Sequence, residues 1–293
     1  MNVAIIGLGL IGGSAGLKLR ESGFASRLIG VDSNEINCNK AIDLGLVDIT
    51  LSLEEAIAEA ELVIVAIPVD KMASVLPGIL DQIGENTVVM DMGSTKEDIC
   101  ISIKAHPKRK QFVAAHPIAG TENSGPDAAF AELYKDKTGI LCDVKESDEK
   151  AYQLARRCLV ALGMSVIEMD SKSHDLHIAY VSHISHISSF VLGQTVLEIE
   201  KDESSIFNLA GSGFESTVRL AKSSPQMWAP IFSQNKKHIS NALGAYIDNL
   251  AAFKQFIDEG REDDLVETME NANEIRRVLD GINGKAKLKE IVN

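Results

Sequence analysis

The sequence predicts an α/β fold: a doubly wound parallel sheet over residues 1–169, then an all-α domain over residues 170–293. Three observations predict it. A β-branched opening run, Asn2 to Ile6, turns at once into a glycine-rich loop and a helix. Short apolar runs then alternate with amphipathic stretches as far as Met169, the pattern of parallel strands joined by right-handed helical crossovers. From Asp170 no stretch reads as a strand, and helical periods dominate.

The opening is the most informative stretch. Gly7, Gly9 and Gly12 stand in Gly-x-Gly-x-x-Gly spacing with Leu8, Leu10 and Ile11 between them, and Ser14 to Arg20 reads as a helix. Such a turn aims unpaired backbone N–H groups at one point on the positive end of the helix dipole, where a pyrophosphate fits. Gly7 makes the tight turn, Gly9 lets the backbone approach the phosphate, and Gly12 lets helix and strand pack closely. Leu28 to Val31 is a second strand with Asp32 at its end. A carboxylate there accepts hydrogen bonds from both adenosine ribose hydroxyls and repels a 2′-phosphate. Together these residues predict a Rossmann-type dinucleotide site that takes NAD rather than NADP. An ordinary glycine turn and a loop-capping aspartate are the plainer readings.

The other elements follow in order. Asn34 to Leu44 and Leu53 to Ala60 read as helices. Leu62 to Ile67 is a continuous apolar run, as in a strand buried on both faces, and Pro68 ends it. Its C-terminal end predicts that Ile67, Pro68 and Val69 line the dinucleotide. Lys71 to Ile83 is a helix and Thr87 to Asp91 a strand, with Ser94 just beyond. Phe112 to Ala115 is a strand that ends at His116 and Pro117. Asp127 to Tyr134 reads as helix, Thr138 to Cys142 as strand, Asp148 to Leu162 as helix and Ser165 to Met169 as the last strand. The second domain is predicted as helices at Ser173–Glu200, Ser204–Ala221, Pro225–Glu259 and Asp263–Ile282. Their apolar faces need partners and predict a homodimer through this domain.

Composition bounds the function. A net charge of −13 argues against a nucleic-acid surface, and an anionic substrate would need a local cationic pocket. The four cysteines show no C-x-x-C spacing and predict reduced thiols in a cytoplasmic protein. The N-terminal apolar run is glycine-broken and lacks basic residues before it, unlike a signal peptide. No stretch approaches the roughly 18–20 apolar residues of a membrane span.

Several side chains could do chemistry. His116 stands at the C-terminal end of a sheet strand, where ligands bind in such folds, and could take a proton from a substrate hydroxyl near neutral pH. A loop histidine bonded to backbone is the plainer alternative. Ser94 could orient that imidazole or touch the nicotinamide, although a Ser-Thr pair also caps helices. His174, His177, His183 and His186 form two i, i+3 pairs, each on one helix face. No carboxylate or cysteine completes a convincing metal set with them, so no metal is expected. Some would recognise substrate at the domain cleft while others are core or surface residues. Arg219 is a natural bidentate partner for a substrate carboxylate, and equally a surface salt-bridge residue. Trp228, the single tryptophan, reads first as a packing residue.

Taken together these segments resemble the prephenate/arogenate dehydrogenase family of tyrosine biosynthesis. The resemblance runs through GLGLIGGS (Gly7–Ser14), VDSN (Val31–Asn34), MGSTK (Met92–Lys96), AHPIAGTENSG (Ala115–Gly125), HDLHIAYVSHISH (His174–His186) and GSGFESTVRLAKSSPQMW (Gly211–Trp228). It covers most of the chain, in the family's order and with matching separations. It implies NAD-dependent oxidative decarboxylation of prephenate to 4-hydroxyphenylpyruvate, or of arogenate directly to tyrosine. His116 matches the family's catalytic histidine and Ser94 the serine that positions it. His186 matches a substrate-binding histidine and Arg219 the arginine that holds a substrate carboxylate. Thr121, Glu122, Ser182, His183 and Trp228 would line the same pocket. The chain departs from many relatives in having Ser185 where they carry proline, and in leaving no room for a fused chorismate mutase or ACT domain. A β-hydroxyacid dehydrogenase would need a lysine base in a glycine-rich helical segment, which is not found. A non-catalytic NAD-binding redox sensor would have no need to retain His116, Ser94 and Arg219 together.

Overall fold

The computed structural model describes residues 1–201 and 205–281. Ser204 and Ile282, each placed at a helix end by the sequence, lie outside the described residues. Two compact units are formed, Met1–Ile239 and Ser240–Asn293.

In the first unit the strands are β1 (Asn2–Ile6), β2 (Arg27–Val31), β3 (Ile49–Thr50), β4 (Leu62–Val65), β5 (Val88–Asp91), β6 (Phe112–Pro117), β7 (Thr138–Cys142) and β8 (Ser165–Met169). They lie in the order β3-β2-β1-β4-β5-β6-β7-β8. The helices on the sheet are α1 (Leu10–Glu21), α2 (Glu35–Asp43), α3 (Leu53–Glu59), α4 (Val69–Gln82), α5 (Glu97–Ser102) and α6 (Glu149–Ala161). β1, β4 and β5 are apolar and almost wholly buried because both sheet faces are covered. One core, with Leu19, Leu154 and Leu159, fills one face; a second, with Ile57, Leu76 and Ile79, fills the other. The strand order reverses between β1 and β4. That switch point, at the C-terminal strand ends, is where open α/β sheets bind ligands.

The sheet is not wholly parallel, as the sequence had suggested. β7 runs antiparallel to β6, and β8 runs parallel to β7. The cause lies in the link from β6 to β7. The helix expected at Asp127–Tyr134 is instead two short 3-10 turns, Pro126–Ala128 and Ala131–Tyr134. Without a crossover helix the chain folds straight back, and Ile118 N–H donates to the Thr138 carbonyl at 2.8 Å. The link is anchored on α1: the buried Tyr134 hydroxyl donates to the Ile11 carbonyl and Phe130 N–H to Ser14 Oγ. Two short elements, β3 and α5, had no periodicity to announce them.

After Met169 the described residues form only helices. Asp170 caps α7 (Ser171–Ile178) by accepting from Ser173 N–H. A π-turn, Ala179–His183, passes directly into α8 (Ile184–Glu200). Ser185 lies within this unbroken helical run, where a proline would remove a backbone donor. The helix expected over Ser204–Ala221 is broken, with α9 confined to Ser212–Val218 and 3-10 turns at Ile206–Leu209 and Arg219–Lys222. The helix expected over Pro225–Glu259 is two: α10 (Pro225–Gln234) ends at Asn235, and α11 runs from Lys236 to Asp258. α12 (Glu262–Asn273) follows in the second unit. Among the described residues no helix is long and apolar enough to cross a membrane.

Candidate active site

The glycine loop is shaped by backbone contacts. Gly7 has φ +96°, and a Cβ there would stand 2.5 Å from the Ala66 carbonyl oxygen. A Cβ on Gly12 would stand 1.9 Å from the Gly7 carbonyl oxygen, so strand and helix could not close together. A Cβ on Gly9 would meet nothing within 4 Å. The loop is therefore packed on the protein side and open on the other. Gly9 leads into α1 without a side-chain cap, which leaves the first helical N–H groups to a ligand. The Leu8 and Leu10 side chains belong to the core, so these residues meet the open side only through backbone. Ile11 is half-buried against the same core. Asp32 Oδ2 accepts from Leu8 N–H at 2.9 Å and its Oδ1 from Asn34 N–H at 2.9 Å, which aims the carboxylate across the mouth of the loop. These residues fit a dinucleotide with a free ribose. Ile67 and Pro68 follow β4 on the same edge. Val69 turns the other way: its side chain packs with Trp228 and Ile231, and its carbonyl accepts from Gln234 Nε2 at 2.7 Å.

His116 lies at the C-terminal end of β6, opposite Ile140, and is 8% exposed. Its Nδ1 is 2.8 Å from His174 Nε2. His174 Nδ1 is in turn 2.7 Å from Asp175 Oδ1. Asp175 also accepts from the N–H groups of Lys96 (2.8 Å) and Glu97 (2.9 Å). Burial alone would raise the Asp175 carboxyl, but its bonds to His174, Glu97 and Lys96 outweigh that and hold it below the ordinary range. Burial, reinforced by the neighbouring His174, Lys96 and His183, holds the His116 imidazole well below its ordinary 6.5. It is thus neutral at physiological pH and ready to accept a proton. Lys96 is fully buried, paired with Asp91, and donates to the Ala115 carbonyl at 2.8 Å. Asp91 accepts from the Ala115 and Gly93 N–H groups. This network pins the loop bearing Ser94 to the backbone just before His116. Ser94 itself is half-buried, and the hydrogen bond that His116 makes is with His174 rather than with Ser94.

The two i, i+3 histidine pairs do not behave as pairs. His174 and His183 are buried, while His177 is exposed and His186 half-buried. His183 Nδ1 lies 3.2 Å from Asn235 Nδ2, and burial lowers its imidazole to about 4. His186 Nδ1–H donates to the Ser182 carbonyl at 3.0 Å. Its ring stacks on Trp228 with centroids 3.5 Å apart. Burial lowers the His186 imidazole, and the nearby Arg219 guanidinium lowers it further, against the raising effect of Ser182. Arg219 is exposed, with no ion pair among the described residues. Trp228 is both core and site: it packs with Phe232 and Val69, yet its buried Nε1 has no protein partner among the described residues. Thr121 is half-buried and caps its own turn by accepting from Asn123 N–H; Glu122 is exposed on the same loop.

Comparison with known proteins agrees with this geometry. Residues 15–168 match the family model "Prephenate dehydrogenase, nucleotide-binding domain", and residues 170–271 match "Prephenate dehydrogenase, dimerization domain". The chain belongs to the prephenate dehydrogenase family. It is 28% identical to prephenate dehydrogenase of Bacillus subtilis over 94% of this chain and 75% of that one. Its fold is similar to the crystal structure of Aquifex aeolicus prephenate dehydrogenase in complex with hydroxyphenyl propionate and NAD+, with TM-score 0.87, 32% identity, and coverage of 95% of this chain and 98% of that one. It is also similar to Synechocystis arogenate dehydrogenase, with TM-score 0.77, 25% identity, and coverage of 95% and 100%.

Family resemblance and motif reading pass over four residues that the fold makes central. Asp91 and Lys96 form the buried ion pair behind Ser94. Asp175 and Asn235 tie α7 to the sheet and to α10: Asn235 Nδ2 donates to the Asp175 carbonyl at 2.7 Å. The signal for Lys96 was its place in the short loop after Asp91, a carboxylate that ends an apolar strand. The signal for Asp175 was its place directly beside His174. Asn235 had none, since an asparagine inside a helical period reads as surface.

Proposed function

We propose that this chain catalyses the NAD-dependent oxidative decarboxylation of prephenate to 4-hydroxyphenylpyruvate. The observation that carries the reading is His116: a buried, neutral imidazole at the ligand-binding sheet edge, in a chain whose glycine loop fits a dinucleotide. When bound, NAD supplies the two-electron acceptor for the hydride on ring C4. His116 takes the C4 hydroxyl proton as the C–H bond breaks. Loss of the ring carboxylate as CO2 returns electrons to the ring, and His116 gives the proton back to the phenolate oxygen. Aromatisation drives the step, so the chain's task is orientation and one tuned proton transfer.

The roles of the other residues are part of the proposal. Ser94 would position the nicotinamide or the imidazole, and Gly7 to Gly12, Asp32, Ile67 and Pro68 would receive the dinucleotide. Arg219, a guanidinium without an ion pair among the described residues of a chain of net charge −13, would supply the local cation for a substrate carboxylate. His186 and Trp228 would form its aromatic floor, with Thr121, Glu122, Ser182 and His183 around the ring. Residues 1–169 would then serve the cofactor and residues 170–293 the substrate and a homodimer. Exposed apolar residues support the dimer: Val191, Leu197 and Ile199 on α8, and Ile247, Leu250 and Ile257 on α11. The net charge supports a protein with no nucleic-acid partner. The free cysteines Cys38, Cys100, Cys142 and Cys158 support a reducing, cytoplasmic setting. Arogenate is the second reading, favoured by the similarity to the Synechocystis enzyme. NADH formation at 340 nm, with each substrate and with NAD or NADP, separates these readings. Turnover of prephenate with NAD is expected; turnover of arogenate alone would rename the substrate, and turnover of neither would remove the proposal.

A further inference from the structure

We propose that His174 and Asp175 are positioning residues that hold His116 in the one tautomer able to act as the base. This rests on the role of His116 proposed above, but the argument for the tautomer needs only the hydrogen bonds. An ionised carboxylate is an acceptor and cannot donate. Asp175 accepts three hydrogen bonds, two of them from backbone N–H groups, and these favour its ionised form. The hydrogen between Asp175 and His174 therefore resides on His174 Nδ1. A neutral imidazole with hydrogen on Nδ1 has its lone pair on Nε2. His174 Nε2 must then accept from His116, whose Nδ1 carries the hydrogen. The remaining nitrogen of His116, Nε2, is left with its lone pair, and this is the nitrogen a substrate hydroxyl needs.

The same chain holds the charge that forms. Once His116 Nε2 has taken the proton, its Nδ1–H still donates to His174, and the carboxylate of Asp175 stands one ring away. Lys96, the nearby buried cation, is matched by Asp91. The logic parallels that of a serine-protease triad, in which a buried aspartate holds a histidine in the working tautomer. Here a second imidazole stands between the two.

A structural role for the pair makes a different prediction. Asp175 fastens α7 to the loop at Lys96 and Glu97 through backbone N–H groups, and that contact does not need a ring at position 174. His174→Gln keeps an acceptor, Oε1, close to where Nε2 stood; His174→Phe keeps ring bulk and has no acceptor. Under the proposal His174→Gln retains kcat within about 10-fold, while His174→Phe lowers it by about 10²–10³, with KM and NAD affinity nearly unchanged. Equal losses in the two variants would overturn it. Asp175→Asn presents an amide that can donate to His174 and reverse the chain, moving the hydrogen of His116 to Nε2. Its kcat is expected to fall by about 10²–10⁴ and no further than in His116→Asn, by analogy with the triad when the aspartate becomes asparagine.

The deciding measurement is long-range ¹H–¹⁵N NMR on the histidine-labelled full chain at neutral pH, with His116 assigned by its loss in His116→Asn. His116 hydrogen on Nδ1 in the wild type, and loss of that preference in His174→Phe, are expected. Hydrogen on Nε2 of resting His116, or a doubly protonated His174, would overturn the proposal. No substrate enters this experiment. Failure to turn over prephenate would therefore count against the function alone, and a wrong tautomer against this inference alone.

Discussion

The glycine loop and the histidine centre stand on the same edge of one sheet and are built in opposite ways. The loop is a backbone device. Its shape comes from contiguous residues, Gly7 to Gly12, and its interactions are N–H groups, carbonyls and close approaches that side chains would block. The histidine centre is a side-chain device assembled from β6, α7 and the break after α10. His116, His174, Asp175 and Asn235 are far apart in the chain and meet only in the fold. A local backbone site fails when a side chain is added. A dispersed side-chain site fails when one is removed.

The largest effect should come from removing the base. His116→Asn is expected to lower kcat by about 10²–10⁴, a typical general-base contribution, while NAD binding measured by fluorescence titration stays the same. Loss of both together would mean that the two sites are not separable. Next in size is Arg219→Ala. An exposed guanidinium removed from a substrate carboxylate costs about 1.5–3 kcal/mol, so KM for prephenate should rise about 10–100-fold with little change in kcat. An unchanged KM would place the carboxylate elsewhere.

The loop is tested by adding a methyl group at two glycines. Gly12→Ala puts a Cβ 1.9 Å from a carbonyl oxygen that cannot move without the strand, a strain of about 1–3 kcal/mol or more. It should lower the melting temperature and weaken NAD together. Gly9→Ala puts its Cβ into open space and should leave the melting temperature alone while weakening NAD about 10-fold. If both variants melt like the wild type, the close approach at Gly12 is not what shapes the loop.

The same contrast explains what could be read from the sequence. The glycine loop, Asp32 and the central strands were legible because spacing and local composition encode them. The antiparallel β7 was not, because its cause is a missing crossover helix in a stretch whose periodicity imitates one. The break at Asn235 was not, because the residues around it keep a helical period and Asn235 leaves the helix only to bond His183 and Asp175. His116 could be found from its place at a strand end. Its partner His174 could be singled out from three neighbouring histidines only by the fold, since burial and not spacing separates them.

Acid gives the smallest effect, and it acts on the side-chain site. The His116 and His183 imidazoles are held below 6.5, chiefly by burial. His183, lowered to about 4, is neutral in the folded chain at pH 5.5, and His116 is harder to protonate folded than unfolded; in the unfolded chain each takes up a proton as pH falls through about 6.5. The unfolded state then binds more protons, so stability present at pH 7.5 is lost toward pH 5.5, by about 1 kcal/mol for His183 and in the same direction for His116. Thermal melts across that range should show the loss, and His116→Asn should show about one histidine's share less. The acid limb of kcat/KM should also lie below pH 6.5, because the free enzyme keeps His116 unprotonated there. A limb at or above 6.5 that His116→Asn removes would mean that the base is far better solvated than its place in β6 implies.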